Sequence, residues 1–472
     1  MFDPVIAPSG TLLGLLQRGR GDGTLHALAA PRAEALAALN HCVLNDPRHD
    51  WQVENRSLYY ARLYLDLHGG LEEIRRHLSD ADDVLDTDEA RTGLALAVLG
   101  HLAAYGRPDA LALLRDYAAR GSNWEWALDE LALRDDDAGL RALAEPVLAR
   151  FPAGPEGDAE LAVAVRDAFE PRPWRLWAED PREDVGARVR AAREAGSFDR
   201  WQRQMRPSGP RPDWSVQSVF DWADQGQERG TPLHVPAARC LTAVAGDADR
   251  PAVLVAARDG ADGARSAALH YLAERGDPAV LDLIEYAVST GSRTVADAAV
   301  AAFERMCGEA AVDRARGWVQ RPDALGASAA GVLACRGGTD DARLVLGALR
   351  ETVRAQGPDS PLLWTLVDGA GRLGIGCAAP VLRHVYRETA SSCLRGRTAR
   401  ALAATDPSFA TGFAVECLWD CEETTREVAA HHAATGDLRV AERFRRLAAD
   451  PAEEAEVQTA VRSRMAADGP PH

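Results

Sequence analysis

The chain has 472 residues, 46% hydrophobic and 26% charged, which is enough apolar material for a packed interior and too much for a disordered polypeptide. Its formal charge of −17 opposes non-specific attraction to nucleic acid or to an anionic membrane. All 54 basic side chains are arginine, so no Schiff-base, P-loop or kinase-type lysine exists, and several enzyme classes are excluded at once.

The first residues, Met1-Phe2-Asp3-Pro4, lack the basic stretch and apolar run of a secretory signal, and no stretch of about eighteen apolar residues follows. The expectation is a soluble, cytoplasmic protein that makes no membrane contact. Its eight cysteines are scattered through apolar runs and read as reduced core thiols. Residues 1–154 carry loosely repeated helices, around Trp51–Leu67, Glu89–Ala104 and Pro108–Ala119, with hinges at Gly70, Gly106 and Asp135. Tyr60 and Tyr64 share one face at i, i+4, and core packing is favoured over an exposed aromatic strip. Asp80, Asp82, Asp83, Asp86, Asp88 and Glu89 form an acidic stretch ahead of a helix, where it complements the dipole; a basic partner is the alternative.

Residues 155–235 are divergent repeats rich in tryptophan and arginine. Gly196 is the expected hinge between helices Val185–Ala195 and Phe198–Met205, and residues 182–211 hold eight arginines against four acids. Guanidinium forks grip carboxylates or phosphates, and indole rings anchor partners. The candidate binding residues are therefore Trp174, Trp177, Arg200, Trp201, Arg203, Arg206, Trp214 and Trp222. The competing reading has the tryptophans plug an irregular junction while the arginines pair with acids of neighbouring repeats. Pro207, Pro210, Pro212, Pro232 and Pro236 flank a short helix at Trp214–Trp222 and interrupt the repeats.

From 236 to 450 the pattern is regular. Gly246, Gly276, Gly308, Gly337, Gly374, Asp406 and Gly436 mark hinges spaced 30, 32, 29, 37, 32 and 30 apart, each suited to end one helix in a left-handed cap. In the clearest copy Ala264, Ala267, Ala268, Tyr271 and Leu272 form one stripe before Gly276-Asp277-Pro278, and Val280, Leu283, Ile284, Ala287 and Val288 form another after it. Such pairs bury both stripes only by stacking on the next pair. Residues 451–472 read as a last helix and a frayed tail.

Ala264-Arg265-Ser266-Ala267-Ala268, then Leu272, Gly276-Asp277 and Leu281, is similar to the bacterial HEAT-like repeats first noted in phycobilin lyases. Thr425-Arg426, Ala429-Ala430 and Gly436-Asp437 repeat the pattern. The resemblance covers about 236–450 and extends less firmly over 40–200. It implies an all-α fold, an α-solenoid of antiparallel helix pairs forming a right-handed superhelix, with the second helices lining a concave face. It implies no reaction.

Two motifs suggest chemistry. Gly369, Gly371 and Gly374 match GxGxxG, but a dinucleotide site needs a preceding strand, and close helix packing with a hinge is the favoured account. Glu423, Glu427 and His431 share a helix face near Cys417 and Cys421, without the spacing of an established metal site. No cofactor or metal is therefore expected. The function read from the sequence is a non-enzymatic scaffold or adaptor that binds a protein or peptide on a solenoid surface. The rivals are a DNA-binding, glycosylase-like enzyme, which the net charge disfavours, and an accessory lyase or chaperone for a modified protein.

Overall fold

Alanine, leucine and arginine, all good helix formers, dominate the chain between its Gly and Pro punctuation, and every regular element among the described residues is helical. The computed structural model describes residues 6–48, 52–85, 90–204 and 214–467. No helix among them is long and apolar enough to cross a membrane. The chain divides into two compact units. One comprises Met1–Arg206, Arg387–Ala399 and Ser408–His472; the other comprises Pro207–Tyr386 and Arg400–Pro407. The main break falls at the start of the proline-rich interruption.

In the second unit the expected pairs are present. Asp262–Glu274 packs on Arg293–Arg305, which packs on Ala324–Arg336, which packs on Leu363–Arg372, while Arg250–Asp259 packs on Val280–Thr290. The two helices of a pair differ more than the stripes suggest. Val280–Thr290 buries one face, but Asp262–Glu274 is buried from Gly263 to Ala273 except at Arg265, because helices flank it on several sides. Small residues satisfy that crowding. At Gly369 an added Cβ would lie 2.5 Å from Ala334, and at Gly371 2.9 Å from the Ala401 backbone, so these two GxGxxG glycines serve helix contact, while Gly374, with open space around it and φ 60°, serves the turn.

The Gly-Asp hinge divides its work between two residues. Gly276 adopts φ 67°, which turns the chain out of the first helix. Asp277 then accepts the Ala279 amide at the start of the next and receives Arg250 at 2.6 Å. Asp341 repeats this with the Gly338 amide and Arg316, and Asp406 receives Arg383 at 2.7 Å. Bonds between side chains 27 to 32 positions apart, Arg250 to Asp277, Arg275 to Asp247, Arg305 to Glu274 and Arg314 to Asp282, follow the hinge spacing.

Several expectations are corrected. Left-handed glycines occur at Gly106, Gly276 and Gly374, but Gly246, Gly308 and Gly337 have ordinary negative φ, because the chain there leaves the helix in extended form. Near Gly70 the left-handed residue is His68, at φ 49°. Gly196 breaks nothing: Glu183–Gln204 is a single helix, since one interior glycine costs only about 1 kcal/mol.

The first unit is less regular. Gly93–Ala104 is buried from Gly93 through Gly100 and at Leu102, and Tyr59, Tyr60 and Tyr64 pack in the same core, so no aromatic strip is exposed there. Asp83, from the acidic stretch, is buried and accepts the Tyr117 hydroxyl at 2.5 Å and the Ser122 amide at 2.8 Å; Asp86, Asp88 and Glu89 lie outside the described residues. Segments from the two ends of the sequence also meet in this unit. Arg20 donates to the Arg387 carbonyl, Arg56 to the Ala390 carbonyl, and Arg62 to Asp450 and Glu453. Glu54 receives Ser391 and the Ser392 amide, and Tyr105 donates to Asp450 at 2.8 Å. These partners are 334 to 391 positions apart, contacts that a strictly nearest-neighbour stack does not make. Two ion pairs here are fully desolvated, Arg395 with Asp420 at 2.7 Å and Arg426 with Glu453 at 2.7 Å.

Candidate functional site

The helix Trp124–Arg134 begins with two indoles two positions apart, which point to different sides of a helix and cannot share one buried face. Trp124 turns to the core, meeting Phe151 at 5.9 Å and Trp174 at 6.3 Å, both edge to face. The Arg150 guanidinium lies 5.5 Å from its ring centre. Trp126 is half-buried on the neighbouring side.

Helix Pro155–Asp167 ends beside it, and a short connection leads into Arg172–Ala178. That connection is held at both ends. The Ala168 amide donates to the Ala164 carbonyl at 3.0 Å, the Glu170 amide donates to Asp129 at 3.0 Å, and Arg172 donates to the Ala132 and Asp135 carbonyls. Between these anchors Phe169 is held out in solvent, 81% exposed, and Leu133 beside it is 59% exposed. A ring this exposed, beside a second exposed apolar side chain, forms an apolar patch of the kind that serves as a contact surface.

Trp124, Trp126, Trp174, Phe169, Leu128 and Leu133 line a pocket of about 460 Å³. Five carboxylates join them: Glu125, Asp129, Glu130, Asp167 and Glu170. Burial pushes Glu130 up to about 7 against the pull of Arg134, whose guanidinium is 2.7 Å away. Gly100 makes room for that carboxylate, because a Cβ there would collide with it. Burial and the nearby Asp167 also hold Glu125 above the usual range. Asp167 itself receives Arg166 at 2.7 Å. The result is a largely aromatic hollow with a negative border.

The structure separates the residues that the sequence marks for binding. Trp174 and Trp177 are corrected to core residues, at 3% and 0% exposure, with rings 4.9 Å apart. Trp177 donates its indole N–H to the Leu140 carbonyl, so it has no face left for a partner; Trp174 still contributes to the pocket wall. Arg200, Trp201 and Arg203 fall in helix Glu183–Gln204 with side chains outside the described residues, and Arg206 lies outside them altogether. Trp214 and Trp222 are half-buried in the second unit, 5.1 Å apart, and pack on each other.

The nearby arginines serve the fold: Arg182 pairs with Asp180, and Arg188 with Asp158 and the Phe151 and Pro152 carbonyls. No group of three or more His, Cys, Asp or Glu side chains fit to hold a metal occurs among the described residues. The signal for the pocket is the run Trp124-Glu125-Trp126, too aromatic and too closely spaced for a helix with one buried stripe. No family model matches this sequence, and no curated protein is significantly similar to it.

Proposed function

We propose that this protein is a non-enzymatic scaffold that binds a protein or peptide partner, and that the pocket beside Trp124–Arg134 is where it does so. The observation that carries the reading is Phe169, exposed to solvent beside an aromatic hollow, with Leu133 exposed next to it. A ring of this kind offers a partner a large apolar contact at little ordering cost. The surrounding carboxylates would repel a nucleic-acid backbone, which favours a polypeptide partner over the glycosylase-like alternative. The helix pairs of the second unit are, on this reading, HEAT-like repeats: their hinge spacing, their Gly-Asp turns and the stacking of their inner helices support it.

The test is a Phe169→Ser, Leu133→Ser variant compared with wild type by quantitative affinity purification from the native cell. The variant should lose at least one stoichiometric partner while its melting temperature stays within about 2 °C, since both side chains are already in water. Identical partner sets from the two proteins would refute the reading.

A further inference from the structure

The pocket's walls and border point to the charge of what enters it. Aromatic faces carry negative potential and attract ammonium and guanidinium groups, most strongly where water is partly excluded. This chain already uses that interaction on one of the same rings, where the Arg150 guanidinium sits 5.5 Å from the Trp124 ring centre.

The carboxylates add a second, independent preference. Glu130 and Asp167 have arginine partners, but Glu125 and Glu170 have no cationic partner among the described residues. Both line the hollow. Negative charge gathered there and left uncompensated is relieved by a cation brought from outside. An apolar ligand would leave those acids facing a drier site, and an anion would be repelled.

We infer that the pocket takes the guanidinium or ammonium side chain of a basic segment on a protein partner, held between the rings of Trp124, Trp126 and Phe169 and the carboxylates of Glu125 and Glu170. The inference rests on the scaffold reading and gives it a ligand class. The alkyl stem of an arginine or lysine would lie along Leu133 and Phe169 while its charged head meets the acids. The chain's net charge of −17 would speed the encounter with such a segment at low salt.

The experiment is isothermal titration calorimetry on the full chain with three synthetic peptides of equal length: arginine-rich, glutamate-rich, and uncharged apolar. Glu125→Gln with Glu170→Gln is compared with Asp297→Asn with Glu309→Gln, a pair of exposed acids in the second unit that removes the same charge. The arginine-rich peptide should bind, and the pocket variant should weaken it at least tenfold while the distant variant changes it less than twofold. Equal weakening in the two variants would reduce the binding to general charge attraction and overturn the inference. Preference for the apolar peptide, abolished by Phe169→Ser with Leu133→Ser, would overturn the cationic ligand and leave the scaffold standing. If no peptide binds and the Phe169 and Leu133 variant keeps every cellular partner, the scaffold reading falls with it.

Discussion

The two units solve the same packing problem with charges placed in opposite ways. In the second unit the arginines lie outside the helix stack and bridge successive turns, as with Arg305 and Glu274 at 45% and 31% side-chain exposure. In the first unit arginines are sealed inside, as with Arg395 and Asp420, both at 0%. Regular stacking buries apolar and small side chains and single hinge carboxylates such as Asp341 and Asp406, but no arginine among the described residues, because each pair meets a neighbour of the same kind. Where residues from distant parts of the sequence meet, backbone carbonyls at helix ends are buried too, and guanidinium groups with several donors satisfy them. Arg56 donates to the Gln17 and Ala390 carbonyls in this way. The lesson is that regularity removes the need for interior guanidinium groups, and irregular joints create it.

The sharpest way to break this contrast is Arg395→Ala. It leaves Asp420 buried without its partner and should cost about 3–5 kcal/mol, read as a fall in the chemical-denaturation midpoint. Arg395→Met combined with Asp420→Leu should recover most of that loss, because an apolar pair of similar volume avoids the desolvation cost. No recovery would mean that the pair also serves neighbouring groups that apolar side chains cannot replace.

A second comparison uses pH. Burial, and then the adjacent Asp22 carboxylate, push Glu416 in the first unit from its ordinary 4.5 up to about 7. Between those values the native fold keeps a proton that the unfolded chain has released, so this group's effect on stability worsens as pH rises from about 4.5 to about 7. Glu416→Gln removes the penalty. At pH 8 it should stabilise the protein by on the order of 1–2 kcal/mol, and at pH 4.5 the advantage should vanish, measured by melting temperature across the range. An advantage independent of pH would place the effect in packing.

The smallest effect is expected from Arg305→Ala. The exposed pair it removes should change stability by less than about 1 kcal/mol, and less again in molar salt, followed by thermal melting. A loss as large as that of Arg395→Ala would erase the distinction between the two units.

How much was legible in advance differs by element. The stripes at Ala264 to Leu272 and Val280 to Val288 and the turn at Gly276 follow from residues within one helical turn or one hinge of each other. The Trp124 pocket was missed. Its wall comes from three helices and the Phe169 connection, spread over about 50 positions, and the denser run of tryptophan and arginine that follows is the stronger local signal. Trp174 and Trp177 belong to that run, yet a tryptophan's abundance in sequence says nothing about which of its faces is covered.

By itself, then, the sequence determined the helical character, the buried stripes and the left-handed turn at Gly276, because amphipathic period and capping are local and act wherever the residues occur. Only the tertiary structure decided which ends meet: that Glu54 would receive Ser391, that Arg62 would reach Glu453, and that Phe169 would be left in water beside a ring-lined hollow. Those outcomes depend on contacts between residues far apart in the chain, whose entropy of closure is met by the packed whole and leaves no period or spacing to read.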